Sequence, residues 1–284
     1  MQGAGLMGKL LKLRGSELTA REWPLDMLAR LCREDPLSAH CYAFYYLTRE
    51  PSRTEIVLKA SGDTIESYSL IRYGGRFTIM DIYEIHIWNP IGEVVVEIGI
   101  PPSKRADIQL HNSTPSDVEL VVGHFRSLGF SEFQVGEFHD MICTHESFKP
   151  SSLERLAVKL GEEHAPLYRD LELERGVEVS VEEAREILKA YPHYGVVVGN
   201  TLASIAASYI TLPWVYVVGG VFTRERYRGR GYAKAVVSAI TREALSSGAI
   251  AGLHVEAGNE PAIRVYETLG YKATKTRTWI LAYP

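Results

Sequence analysis

Cysteine is scarce in this chain, and the little there is forms no pattern. Three occur, Cys32, Cys41 and Cys143, an odd number with no CxxC pair. That usage suggests neither a disulfide framework nor a thiolate zinc site, and a reducing cytoplasm is the simplest setting. The nine histidines include no HExxH and no tight ligand grouping. His86, His111, His139 and His145 read as strand or loop residues, so no metal is expected. No run of about 18 apolar residues occurs, so no span of a bilayer is expected. The opening "MQGAGLMGKLLKLRG" lacks an apolar h-region and a small-residue cleavage site, and reads as a surface strand or a loose terminus. Charge of one sign is missing as well: the formal net charge is -4. Nucleic-acid coats and membrane-surface binders carry a broad positive bias, so neither partner is expected. Two phosphate motifs are absent, the P-loop GxxxxGK[ST] and the dinucleotide fingerprint GxGxxG.

What is present is a soluble, globular composition, 46% hydrophobic and 23% charged. A length of 284 residues is comfortable for two domains. The best linker is "SFKPSSLER", with Pro150, Ser151 and Ser152. It divides the chain into residues 1–148 and 149–284.

In the first part, Leu25, Leu28 and Leu31 recur at helical spacing until Asp35-Pro36. The segment "CYAFYYL" reads as buried sheet. From Thr54 to Ile100 the sequence is strand-like and ends in "EVVVEIGI", with turns at Ser61-Gly62-Asp63 and Gly74-Gly75. A helix comes next in "SDVELVVGHFRSLGF", stopped at Gly129, then a strand in "FQVGEFHDMICTH".

In the second part, helices are expected over 152–163 and 180–191. Ser180 with Glu183 makes a capping box for the latter. A hairpin turns at Gly199-Asn200, and a strand runs through "WVYVVGGVFT". The strands "IVLKASGDTIESYSLI" and "VVVGNTLASIAASYI" share a strand–turn–strand rhythm, a weak internal repeat.

One stretch stands out, "RERYRGRGYAKA" at residues 224–235, with five basic side chains and glycines at 229 and 231. It joins the end of a strand near Thr223 to a helix starting near Gly231 or Tyr232. Glycine lets backbone amides approach a ligand with no Cβ in the way. The first helical turn has unpaired N–H groups and the positive end of the dipole. A phosphate or pyrophosphate suits that place, with Arg226, Arg228 and Arg230 adding charge. The plainer reading is a sharp turn with solvated arginines. Its surroundings argue for more. Gly219-Gly220 interrupts the strand upstream, a mark of close backbone approach. Downstream, "AGLHVEAGNEPAIRVYETLGY" reads strand, then a helix with Pro261 in its first turn and a stop at Gly270.

Arg226-x-x-Gly229-x-Gly231 followed by Tyr232-Ala233 resembles the pyrophosphate loop (R/Q-x-x-G-x-G/A) of the GNAT superfamily of acyl-CoA-dependent N-acetyltransferases. "NEPAIRVYETLGY" resembles the family's second signature, N-x-x-A-x-x-x-Y-x-x-x-G-[FY]. The resemblance covers residues 152–284 and implies an α/β (α+β) fold. Residues 1–148 have the rhythm of a degenerate GNAT-like copy. Two domains are thus expected, each a mixed, twisted, mostly antiparallel sheet flanked by helices.

The resemblance further implies acetyl-CoA as co-substrate and an amine as acceptor. The backbone of Val221, Phe222 and Thr223 would pair with the pantetheine arm. The amides of Arg228, Gly229, Arg230, Gly231, Tyr232 and Ala233 would hold the pyrophosphate. Asn259 would reach the pantetheine, and Tyr266 would protonate the departing thiolate. An N–H near Val221 would face the oxyanion. The strand "WVYVVGGVFT" lacks the carboxylate that some members use as base, so Glu256 is the first candidate and His254 the second, with a water chain and no dedicated base as the equal alternative. Trp214 and Tyr216 would favour a short acyl group. The alternative to catalysis is an acyl-CoA-binding module.

Overall fold

A computed structural model describes residues 9–14, 17, 22–62, 64–74 and 81–284. The segment 75–80, with parts of the expected turns at Gly74-Gly75 and Ser61-Gly62-Asp63 and most of the opening stretch, lies outside the described residues. The described residues form two compact units. One holds those up to Phe138 together with Thr276–Pro284, the other His139–Lys275.

The first unit begins with β1 (Lys9–Arg14), α1 (Glu22–Glu34) and α2 (Ala39–Arg49). The hairpin β2 (Thr54–Ser61) and β3 (Thr64–Tyr73) comes next, then β4 (Tyr83–Trp88), a short α3 (Gly92–Val95), β5 (Ala106–His111) and α4 (Pro115–Ser127). Two more strands, β6 (Glu132–Cys143) and the last strand Lys272–Tyr283, each have residues in both units. The sheet order is β1-β2-β3-β4-β5 and then that last strand, with β4 and β5 parallel and the other assigned pairs antiparallel. Ile85, Ile87, Ile108 and Leu110 pack on α3 and α4. On the alternate positions, Glu84 and His86 meet Tyr46 and Tyr42 of α2: Tyr46 donates its hydroxyl to Glu84 at 3.1 Å, and Tyr42 stacks on His86 at 3.9 Å.

Three expectations for this unit are corrected. "CYAFYYL" lies in α2, not in sheet. The helix is buried on nearly every side, so its aromatics show no helical period to read. "EVVVEIGI" is not a strand: Val94 and Val95 turn in α3, where both are buried, and tertiary packing overrides their β propensity. Cys32 and Cys41 are joined by a disulfide that ties α1 to α2. Their spacing of nine carries no recognisable pattern, because the turn at Asp35-Pro36 is what brings them together.

The second unit contains β7 (Ala157–Lys159), α5 (Ala165–Glu174), α6 (Val181–Ala190), β8 (His193–Val198), β9 (Thr201–Leu212), β10 (Val215–Thr223), α7 (Tyr232–Ser246), β11 (Ile250–Glu256) and α8 (Glu260–Thr268), before β12 (Lys272–Tyr283). Its strands run in the order β6-β11-β10-β9-β8-β7. α7 and α8 cover one face over Ala206, Val218, Leu253 and Val255. α5 and α6 cover the other over Leu202 and Ile205. The expected capping box holds: Ser180 Oγ accepts from the Glu183 amide at 3.2 Å. The helix expected over 152–163 does not form. Single 3-10 turns flank the short β7, and the helix starts later, at Ala165-Pro166.

Candidate active site

The site is built by two strands that part. β10 and β11 run parallel and pair from Val215↔Ile250 to Val218↔Leu253, and no further. Beyond that point β10 stays attached to β9, through Phe222↔Ile205 and Thr223↔Ser204. Its edge toward β11 is therefore open along Val221–Thr223. Gly220 has φ +61, which favours glycine, and sits inside the register shift between Gly219 and Phe222.

At the end of β10 the chain makes a 3-10 turn over Glu225–Tyr227 and enters α7 through two left-handed glycines, Gly229 (φ +75) and Gly231 (φ +78). Gly231 is the N-cap residue, and no side chain caps this end and no acidic residue occupies the first turn. The first amides of α7 thus lack intrahelical acceptors and face outward at the positive pole of the helix. A Cβ on Gly229 would meet nothing within 4 Å, so that side of the loop is open.

A cavity of about 680 Å³ lies against this junction. Its walls combine the open edge Val221–Thr223, the loop and first turn of α7 (Tyr227 to Lys234, without Arg230), and α8 from Asn259 to Tyr266. Of the residues expected to form a coenzyme site, Val221, Phe222, Thr223, Arg228, Gly229, Gly231, Tyr232, Ala233, Asn259 and Tyr266 all line it. Arg226 and Arg230 do not. Both are exposed and lie over the Tyr227 ring, at 5.1 and 5.6 Å. Arg224 leaves the group altogether: it is buried, donates to the Leu202 carbonyl at 2.8 Å and pairs with Glu174. The basic run is thus part scaffold and part rim.

Lys234, Tyr227, Pro261, Ala262 and Val265 also line the cavity. Lys234 is visible in the sequence as the last basic residue of the run, and its place in the first turn of α7 is what brings it to the loop. Ala262, Val265 and Leu269 read as the apolar stripe of this helix, and the first two of them are cavity wall.

Asn259 caps α8, its Oδ1 accepting from the Ala262 amide at 3.2 Å. Tyr266 is buried on the inner side of α8, and burial, with the Tyr209 phenol nearby, pushes its pKa up to about 12. It therefore keeps its proton at neutral pH.

On β11, Glu256 is exposed at the strand end, and it does not line the cavity. His254 is on the same strand face, with Nδ1 2.7 Å from Asp140 Oδ1 and both side chains 1% exposed. Trp214 and Tyr216 are not cavity residues either. Trp214 is in the β9–β10 turn, and Tyr216 packs on the α7 side of the sheet. Among the described residues, no group of three or more His, Cys, Asp or Glu is placed to hold a metal. No described helix is long and apolar enough to cross a membrane.

Residues 193–280 match the family model FR47-like protein. No curated protein matches the chain. Among solved structures, a Drosophila melanogaster protein is 16% identical, with a TM-score of 0.65 over 98% of this chain and 99% of its own. A tandem GNAT protein from the clavulanic acid biosynthesis pathway is 14% identical, with a TM-score of 0.59 over 96% of this chain and 98% of its own. A GNAT-family structure from Novosphingobium aromaticivorans is 28% identical, but aligns over 53% of this chain and 65% of its own length at a TM-score of 0.45. The parted parallel strands and the glycine loop at the α7 start lie within the residues that match the FR47-like family model, and the chain as a whole shares the fold of a tandem GNAT protein.

Proposed function

We propose that the protein is an N-acetyltransferase that moves the acetyl group of acetyl-CoA to a primary amine of a small molecule or amino acid, by direct attack in a ternary complex. Residues 149–284 carry the reaction, and residues 1–148 are a degenerate GNAT-like copy. The observation that carries this reading is the cavity itself. Residues of both signatures line it, Gly229 and Gly231 from the first and Asn259, Ala262 and Tyr266 from the second.

The pyrophosphate of the coenzyme sits at the amides from Arg228 to Ala233, beside Lys234. Its pantetheine arm adds to the open edge of β10 at Val221–Thr223, as an extra strand would. The amine nitrogen attacks the thioester carbonyl carbon, and the developing oxyanion takes an N–H near Val221. The C–S bond then breaks, and the thiolate takes the phenolic proton of Tyr266. For the proton the amine gives up, β11 offers Glu256 and the Asp140-bound His254. The pH–rate profiles of Glu256→Gln and His254→Gln decide between them, since the true base loses its acidic limb when replaced.

The test is thiol release from acetyl-CoA with a panel of amines. Tyr266→Phe should lower the rate about 100-fold. In the wild type the phenol should not limit the rate until the pH approaches about 12. β10 carries no carboxylate, which favours a non-catalytic acyl-CoA-binding module as the second reading. Coenzyme binding without thiol release for any amine would select it.

A further inference from the structure

Resting on the acyl-CoA reading, we infer that Tyr209 sets the length of the acyl group, closing the inner end of the coenzyme cavity so that only short-chain thioesters fit. The cavity runs along β10 from Thr223 inward and stops at Val221, two residues short of Gly219. Gly219 lies one residue past the last β10–β11 pair, Val218↔Leu253, where the two strands separate. An acyl chain longer than acetyl would have to run on into that gap.

Tyr209 fills it. An ideal Cβ on Gly219 would lie 2.4 Å from Tyr209 Cε1 and 2.9 Å from Cδ1, so the ring rests on the bare glycine backbone. No other residue at 219 leaves room for it. β9 delivers the ring through a bulge: pairing jumps from Val217↔Ile210 to Val218↔Ser208, and Tyr209 is the extra residue between them. The residue is 3% exposed, and its phenol is close enough to Tyr266 to act on it electrostatically. Tyr266 lines the cavity, and Tyr209 is its neighbour. A bulged residue, a glycine kept bare for its ring and a cavity wall that ends two residues short of that glycine together make a stop.

Binding tests this without knowledge of the acceptor. The full-length wild type, Tyr209→Phe and Tyr209→Ala are titrated by calorimetry with free CoA, acetyl-CoA, butyryl-CoA and hexanoyl-CoA. The wild type and Tyr209→Phe should bind acetyl-CoA at least about tenfold more tightly than hexanoyl-CoA. Tyr209→Ala should bring the two within about threefold, by opening the gap. Tyr209→Leu, which fills the core but shortens the stop, should admit butyryl-CoA and serves if the alanine variant does not fold. Equal wild-type affinity for acetyl-CoA and hexanoyl-CoA overturns the inference while leaving the coenzyme site standing. So does wild-type discrimination in a folded Tyr209→Ala protein. Failure of the wild type to bind even free CoA overturns the underlying reading, and the inference with it.

Discussion

Each of the two units contains a pair of neighbouring parallel strands, and the two pairs end differently. In the first, β4 and β5 pair along their whole length, from Tyr83↔Ala106 to Trp88↔His111. The end is fastened: the Asn89 amide donates to the His111 carbonyl at 2.9 Å, and both Asn89 and Asn112 take positive φ to turn away. In the second, β10 and β11 pair over four residues and then part. The segments downstream of the two pairs differ in step. β4 leads into α3, a single turn over Gly92–Val95, whereas β10 leads through Gly229 and Gly231 into the fifteen residues of α7. Where strands stay zipped there is neither an open edge for a pantetheine nor a long helix start for a pyrophosphate. The lesson is that the site depends on a pairing failure between two strands, with a glycine loop set to exploit it.

The closed unit puts its polar groups to structural use. Arg72 is 1% exposed, donates to Glu50 at 2.8 Å and approaches Glu84 at 3.4 Å. Glu84 in turn meets Tyr46 and His86. Arg72→Met removes the guanidinium that both carboxylates share, leaving Glu50 the longer approach to Arg53 at 4.0 Å, and should cost about 3–5 kcal/mol of stability, read by denaturant unfolding. If the comparison is right, the folded fraction still binds acetyl-CoA as the wild type does. A matching loss of affinity would break it.

The disulfide gives a second, smaller test of the same asymmetry. Linking Cys32 to Cys41 shortens only a small loop, so Cys32→Ser should cost about 2–3 kcal/mol by the loop-entropy relation. The expected outcome is a lower melting temperature with unchanged acetyl-CoA affinity. The smallest effect lies at the open pair. Lys234→Ala should weaken acetyl-CoA binding about three- to tenfold, more at low salt than at high, without a change in melting temperature.

The open pair is far more legible in the sequence than the closed one. Glycine and proline at fixed offsets mark α7 and α8, and the observed starts at Tyr232 and Glu260 fall where those signals put them. The hairpin glycine Gly199 and the helix stops Gly129, Gly248 and Gly270 all take positive φ. Gly270 also explains its own identity, because a Cβ there would sit 1.8 Å from the Ser147 carbonyl oxygen. In the first unit the signals fail for a physical reason. α2 buries eight of its eleven residues, so no polar face sets its period, and the aromatics read as strand. Pairing of β12 with β5, Thr278↔Leu110 through Ala282↔Ala106, joins residues far apart in sequence and leaves no local trace. At the site, the wall residues Ala262 and Val265 look like any core stripe. Tyr209 escapes a sequence reading because its role is set by a bulge and by Gly219 on the neighbouring strand, neither of which one strand's sequence reveals.

The most direct measurement is a calorimetric titration with acetyl-CoA, at moderate salt, of the wild type beside Gly229→Glu. Gly229 has open space beside it, but at φ +75 a side chain strains the loop by about 1 kcal/mol, and a carboxylate there also faces the phosphates at the α7 start. The account predicts saturable binding by the wild type and none by a folded Gly229→Glu protein. Equal binding by both, or binding by neither, would contradict it.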